Sequence, residues 1–528
     1  MCNGTVWMST ARTTWRFWRP ATDRLSALLL CAALVLLPGG FLVGCGDDGE
    51  SLVDAPEVPS GRHAAFVTDA EGRALLLRGM NVSGSAKDDP QRMPWVHAED
   101  LVRLRQWGFN AVRFLIFWDA IEPQPGEYDR GYLERVRERL DWCAAAGLWV
   151  ILDMHQDVYG KFAFDGKPLG FDGAPSWAAR TDGLPHQIIE PWALTYLQSG
   201  VRRAFDNFWA ESGPHADVQQ HYIAMWQVVA EFFRGHPALL GYDLMNEPFA
   251  GTAAAAQWGP LRVGDPERSR AFEQTLFRRF YLRLIAALRA VDADTWIFYE
   301  PLALPANNGG PSYIGKLADP RPGEPRLVYA PHLYAIEPEL NNRFDPDVTP
   351  EMDAWHRQRR REMEELAEPM VVGEVGLPWN AGGDPLAYLR KSLAVIDDVA
   401  SGWLYWSYDP GSWGPVVGSE RRETPLVDVL VQPFAHRVAG RPLMFRYDWT
   451  TRRYELEFVD DPRIAAPTEV FVPEARLYPQ GWRYLVDGRD GAARGEWDAR
   501  AQILRLKLLH RGGVHGIVIE PAPATPGS

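Results

Sequence analysis

Eight short apolar runs, each ending in polar or charged residues, recur along the chain with helical stretches between them, and this alternation restricts the fold more than any other feature. They read "ALLLRGMNVS", "AVRFLIFWD", "WVILDMHQD", "LLGYDLMNEP", "TWIFYEP", "LVYAPHLY", "PMVVGEVG" and "GWLYWSYD". The intervening stretches, such as "HAEDLVRLRQWG" and "YLERVRERLDWCAAAG", carry apolar residues at helical spacing and close on glycine. Near-continuous apolar strands, each followed by a helix, specify a parallel sheet covered on both faces. Eight such units predict an α/β fold of the (β/α)8 TIM-barrel type, with its active site at the C-terminal strand ends.

The chain is longer than a barrel requires. Its 528 residues, 46% hydrophobic with 22 tryptophans, suffice for a barrel and one smaller domain. Near the C-terminus "YELEFV", "TEVFVP", "WRYLVDG", "ILRLKLL" and "GVHGIVIEP" alternate with turn residues, which predicts a small antiparallel β-sandwich. The expected division is a catalytic barrel over 62–438 and a sandwich over 439–528. A net charge of -14 repels nucleic acid, so a nucleic-acid-binding role is excluded. Oligomeric state is not legible.

The N-terminus reads as an export signal. Arg12, Arg16, Arg19 and Arg24 precede "LSALLLCAALVLL", too short a run to span a bilayer comfortably, and "LVGC" ends the segment at Cys45. This resembles the leader of bacterial lipoproteins, which implies lipidation of Cys45, a signal peptide over 1–44 and a polar tether over 45–61. An ordinary secretory signal and a retained anchor helix are the alternatives; all of them place residues 61 onward outside the cytoplasm. Of the four cysteines only Cys143 lies in the expected folded part, on a helical pattern, where it reads as a buried structural thiol. No Cys/His cluster has metal-ligand spacing.

The strand ends carry Arg113, His155, Asp157, Asn246, Glu247, Glu300, His332, Tyr334, Glu374 and Trp406. Any one of them reads as a hydrogen-bonded core residue; ten in one layer read as a site. Glu247 falls on the fourth strand and Glu374 on the seventh, strands that face each other across a barrel mouth. Two carboxylates across a cleft can divide glycoside hydrolysis between an acid/base and a nucleophile. Asn246 is then placed to hydrogen-bond the sugar 2-OH, and Pro248 is expected to end the strand so that Glu247 faces the cleft.

The ordered set "NAVRF", "DMHQD", "MNEP", "HLY", "GEVG" and "YWSY" resembles the clan A glycoside hydrolases, family 5 in particular. The resemblance implies a retaining enzyme that uses no metal or organic cofactor, with Glu247 as acid/base and Glu374 as nucleophile. It further implies a supporting shell of Arg113, His155, Asn246, His332, Tyr334 and Trp406. In it Arg113 keeps Glu374 ionised, Tyr334 hydrogen-bonds Glu374 and Trp406 forms a sugar platform. "RGMNVSGSAKDDP" and "DMHQDVYGKFAFDGKPLGFDGAPSWA" are similar to the endoglycoceramidases, which cut between glycan and ceramide in glycosphingolipids. That similarity adds Lys87 and Asp157 as glycan contacts. The long connection after the third run holds Phe162, Phe164, Phe171, Trp177, Leu184 and Trp192, and the loop after Glu247 is also apolar. Both fit binding of a lipid aglycone, with Trp177 among the substrate contacts, or simple packing of the loop on the barrel. A hydrolase of soluble β-glucan or mannan, a simple glucosyl- or galactosylceramidase, a steryl glucosidase and a carbohydrate-binding lipoprotein without catalysis remain alternatives.

Overall fold

The structure is a computed structural model that describes residues 65–523, apart from 165–166, 169–170, 190–191, 259–260 and 348–349. The leader, the tether and Cys45 lie outside the described residues. Eight parallel strands form the central sheet: β1 Leu77–Val82, β2 Ala111–Ile116, β3 Trp149–Met154, β4 Leu239–Asp243, β5 Trp296–Tyr299, β6 Leu327–Tyr329, β7 Val371–Val375 and β8 Gly402–Tyr405. Neighbours run in order from β6 back through β1 to β8 and β7. Parallel bridges Tyr329 to Met370 and Leu333 to Val375 join β6 to β7 and close the barrel.

The helices form where the sequence supplies both a stripe and its ends. In Arg130–Ala146 the buried Leu133, Val136, Leu140 and Cys143 recur at helical spacing, which turns one face to the sheet. Asp129 caps the start by accepting the Tyr132 N–H at 2.9 Å. Gly147, at φ 74°, ends it in the left-handed conformation that favours glycine. Burial pushes the Cys143 thiol well up from its ordinary value, as expected of an inert core cysteine.

After the barrel the chain builds two antiparallel sheets of five and four strands. The five-stranded sheet takes in Ala74–Leu75 from before β1, and its second strand is Phe434–Val438. The sequence reading assigned Phe434–Val438 to the barrel; its alternation matches the sandwich, and its backbone pairs with Thr468–Phe471. The long connection from β3 to β4 folds into more than a barrel unit requires. It contains Ser199–Phe208 as well as the expected helix Ala216–Phe233. Tyr159, Phe205 and Phe208 bury their rings between this connection and the barrel.

Sandwich and barrel share one apolar core. The His436 imidazole donates through Nε2 to the Gly108 carbonyl at 2.8 Å, and Gln502 donates to Gln106 at 3.0 Å. Gly108 has φ +92°, and a Cβ there would lie 2.1 Å from the Phe471 ring. Gly108→Ala therefore combines left-handed strain with overpacking at this seam and is expected to destabilise by about 1–3 kcal/mol. Thermal or urea unfolding checks the loss; kcat of the folded fraction should stay unchanged, because the catalytic cleft opens at the other end of the strands.

Candidate active site

Every barrel strand contributes to one polar cluster at the C-terminal end. At its centre is Arg113 of β2, fully buried. Its guanidinium pairs with Asp153 at 2.9 Å, Asp243 at 2.9 Å, Glu300 at 2.8 Å and Glu374 at 2.8 Å. It also donates to Asn81 at 3.0 Å and Asn246 at 2.9 Å. Burial opposes the charge on Arg113, but the four acids together raise its pKa well above the ordinary value. One cation cannot keep four close carboxylates ionised. Burial accordingly raises Asp153 well above the carboxylate range, with Asp243 and Glu300 adding to the push and Arg113 opposing it. Glu300 is pushed up to about 7, first by burial.

Glu374 lies at the end of β7. Its Oε1 takes the Arg113 bond and its Oε2 accepts the Tyr334 hydroxyl at 3.0 Å. Burial is the largest influence and raises its pKa, while His332, Arg113 and Lys87 pull it down and Glu247 adds to the rise. The net direction is up. Against the expectation that Arg113 keeps Glu374 ionised, Arg113 does pull in that direction but is outweighed by burial, because the guanidinium is divided among four acids.

Glu247 is placed differently from the sequence expectation. The ladder of β4 stops at Asp243, and Glu247 has φ 45°, which no strand residue adopts. Pro248 therefore does not end the strand; the chain leaves the sheet earlier and turns Glu247 into the cleft from a loop. Its N–H donates to Glu300 at 2.8 Å and its carbonyl accepts Gln156 at 2.9 Å. Its Oε1 accepts Asn307 at 2.7 Å and is 3.0 Å from His332 Nδ1. Both donors thus fall on Oε1, which leaves Oε2 to carry an acidic proton. Burial disfavours a charge on His332, but Glu300 and Glu374 outweigh it and raise the imidazole well above its ordinary value. Oxygens of Glu247 and Glu374 and a nitrogen of His332 all lie within 4.8 Å of one another.

A second group flanks the acids. Lys87, in the loop after β1, pairs with Asp157 and lies 4.3 Å from the Trp406 ring centroid. His155 stacks on the same ring at 5.3 Å and 10°, and Asp153 fixes its Nδ1 at 2.6 Å. Burial raises Asp157, yet Lys87 and His155 bring it below the ordinary carboxylate value. Burial, with Lys87 adding to it and Asp157 opposing it, drives the His155 imidazole well below its ordinary value. Asp172 packs beside this pair, fully buried and with neither oxygen hydrogen-bonded.

Lys87, Arg113, His155, Asp157, Asn246, Glu247, His332, Tyr334, Glu374 and Trp406 are therefore brought together. Trp177 is not. Its indole N–H donates to the Glu122 carbonyl at 3.2 Å and its ring meets Trp118 and His221 edge-on. A half-buried indole needs an acceptor, and here the barrel's outer helices supply it, so Trp177 pins the long loop. Phe171 meets Trp192, and Trp192 is 38% exposed. The side chains of Phe162 and Phe164 lie outside the described residues. Sequence reasoning missed Asp153, Asp243 and Asn307. Asp153 and Asp243 follow apolar residues in the third and fourth runs and could have been found as acids inside otherwise apolar strands; Asn307 lies in a loop that no pattern marks.

Among the described residues three sets of side chains have ligand atoms close enough for a metal: His155 with Asp157 and Asp172, Glu247 with His332 and Glu374, and Asp153 with Asp243 and Glu300. Each already has a protein cation beside it: Lys87 for the first, and Arg113 for the other two through Glu374, Asp243 and Glu300. Paired carboxylates this close, at the mouth of a (β/α)8 barrel, are the equipment of a retaining glycosidase. The family description Cellulase (glycosyl hydrolase family 5) matches residues 68–412, and Glycoside hydrolase family 5 C-terminal domain matches 432–519. Endoglycoceramidase I of Rhodococcus hoagii (strain 103S) is 28% identical over 438 residues, 80% of this chain and 81% of that protein. An endoglycoceramidase of Cyanea nozakii is 24% identical over 83% of this chain and 87% of its own length. The solved complex of endo-glycoceramidase II from Rhodococcus sp. with ganglioside GM3 superposes with a TM-score of 0.77 at 35% identity, covering 87% of this chain and 100% of that one. The chain belongs to glycoside hydrolase family 5, within its endoglycoceramidase group.

Tyr334→Phe removes the hydroxyl that stabilises the ionised form of Glu374, so the Glu374 pKa should rise further. Activity that needs this carboxylate ionised is lost as pH falls through that pKa. The acid limb of kcat/KM on a soluble aryl β-glycoside should therefore lie above the ordinary glutamate range in the parent and move to higher pH in Tyr334→Phe.

Proposed function

We propose that this cleft hydrolyses the β-glycosidic bond between glycan and ceramide in glycosphingolipids, with retention of configuration. The observation that carries the reading is the pair Glu247 and Glu374, with oxygens within 4.8 Å and different partners on each acid. That spacing suits direct attack by one carboxylate and leaves no room for the water an inverting enzyme places between them. Glu374 attacks the anomeric carbon while the Glu247 Oε2 proton passes to the ceramide oxygen, and the glycosyl–ceramide bond breaks. Glu247, now a carboxylate, takes a proton from water as that water attacks the glycosyl–Glu374 ester. Asn246 is anchored to Arg113 through its side-chain oxygen and donates its amide to the Gln156 carbonyl at 3.1 Å; the amide hydrogen on the side of His155, whose Nε2 is 3.5 Å away, is the one a sugar 2-OH would take. Lys87, His155, Asp157 and Trp406 form the polar and aromatic wall available to the sugar.

The relatives named above, one of them solved with a ganglioside, support a glycosphingolipid substrate. Incubation with mixed gangliosides and cerebrosides, followed by mass spectrometry, should show intact glycan and ceramide released together. Glu374→Gln should lose several powers of ten in turnover. Glu247→Ala should retain glycosyl-enzyme formation from a dinitrophenyl glycoside and yield a β-glycosyl azide with added azide, because only poor leaving groups need the proton. An α-azide, or labelling of a residue other than Glu374 by a fluorosugar, would refute the assignment.

We also propose that the chain is exported and anchored through a lipidated Cys45, a reading supported by the arginine-rich, apolar leader and its "LVGC" end. Among the described residues no helix is long and apolar enough to cross a membrane. Cys45→Ala should abolish fatty-acid labelling of the expressed protein; labelling that persists would refute the anchor.

A further inference from the structure

Glu300 ends β5 and is 2% exposed, yet it has no part in the two-acid mechanism. Its contacts converge on one residue. Oε2 accepts the N–H of Glu247 at 2.8 Å, and Oε1 is 3.2 Å from His332 Nε2, whose Nδ1 faces the Glu247 carboxyl at 3.0 Å. Glu300 therefore reaches the acid/base twice, once through its backbone and once through the imidazole. Arg113 holds Oε1 from the other side at 2.8 Å. The Glu247 backbone at φ 45° is a conformation that non-glycine residues adopt only when their surroundings impose it. The Glu300 bond on its N–H and the Gln156 bond on its carbonyl supply that constraint.

We infer that Glu300 is the positioning residue of the acid/base, holding the left-handed Glu247 peptide in place and, through His332, aiming its carboxyl so that Oε2 meets the glycosidic oxygen. The inference rests on Glu247 being the acid/base. Both oxygens of Glu300 act as acceptors, so only a carboxylate satisfies both sides. An amide would turn its NH2 either on the Glu247 N–H or on Arg113 and His332. The Glu300 carboxyl, pushed up to about 7 first by burial, lies at ion-pair distance, 3.2 Å, from His332, whose imidazole is raised well above its usual value. His332 Nδ1 and the Asn307 amide both meet Glu247 at Oε1, which leaves Oε2 to face the glycosidic oxygen.

The test is a leaving-group series of β-glycosides of one sugar, from dinitrophenolate to an alkoxide, run on the parent, Glu300→Gln, Glu300→Ala and Glu247→Ala. Thermal unfolding and the rate of fluorosugar labelling of Glu374 control for fold and for the nucleophile. Both Glu300 variants should lose on the order of tenfold or more in kcat/KM on the alkoxide substrate while keeping most of the dinitrophenyl rate, so that the dependence on leaving group steepens. Azide should not rescue Glu300→Gln, since its Glu247 carboxylate still occupies the azide position. Equal losses across the series in the folded Gln variant, or an undiminished alkoxide rate, overturns the inference. If Glu247→Ala itself shows no leaving-group selectivity, the acid/base assignment fails instead, and the two failures are told apart in one experiment.

Discussion

A guanidinium without access to water needs compensating charge, and the barrel mouth is organised around that need. Arg113 draws in acids from β3, β4, β5 and β7, so five of the eight strands are tied at one point. Removing one member of such a buried set leaves uncompensated charge at a cost of about 3–5 kcal/mol. Burial first, and then the neighbouring acids, raise the pKa values of Asp153, Glu300 and Glu374, because one shared cation only partly opposes both. Fold stability and site chemistry therefore depend on the same contacts.

Within that frame the two acids of the reaction are treated unequally. Glu374 is on a strand, with one oxygen on a cation and the other on a phenol, a rigid setting for a group that must attack along one line. Glu247 is on a loop, and its side chain is 15% exposed against 7% for Glu374. The more accessible acid is the one that must meet both a leaving group and a water molecule. Its position is enforced by hydrogen bonds from two connections, Gln156 after β3 and both Glu300 and Asn307 after β5.

The parts outside the cleft serve it at a distance. The sandwich closes the opposite end of the barrel against Gly108 and contributes no residue to the catalytic cluster described above. The long β3–β4 connection is held by Trp177 on the outer helices, by Tyr159 and by Phe205, while Ile188 and Trp192 remain 37% and 38% exposed.

Periodicity and strand-end chemistry were enough to give the barrel, the sandwich and the strand-end cluster without Asp153, Asp243 and Asn307, because strand and helix periods and the C-terminal-end rule are local properties of sequence. "NEP" and "GE" sufficed to name Glu247 and Glu374. The sequence could not show that Glu247 leaves the sheet at a positive φ, that Trp177 faces the outer helices, or that Phe434–Val438 pairs with the sandwich. Each depends on partners distant in the chain. The same holds for charge: that Arg113 is divided among four acids, and that Glu300 faces both the Glu247 peptide and His332, follows from closing the barrel, which brings strand ends separated by scores of residues within hydrogen-bonding distance. Sequence determined which groups were present; tertiary structure decided which of them pair, because that depends on distances only the closed barrel sets.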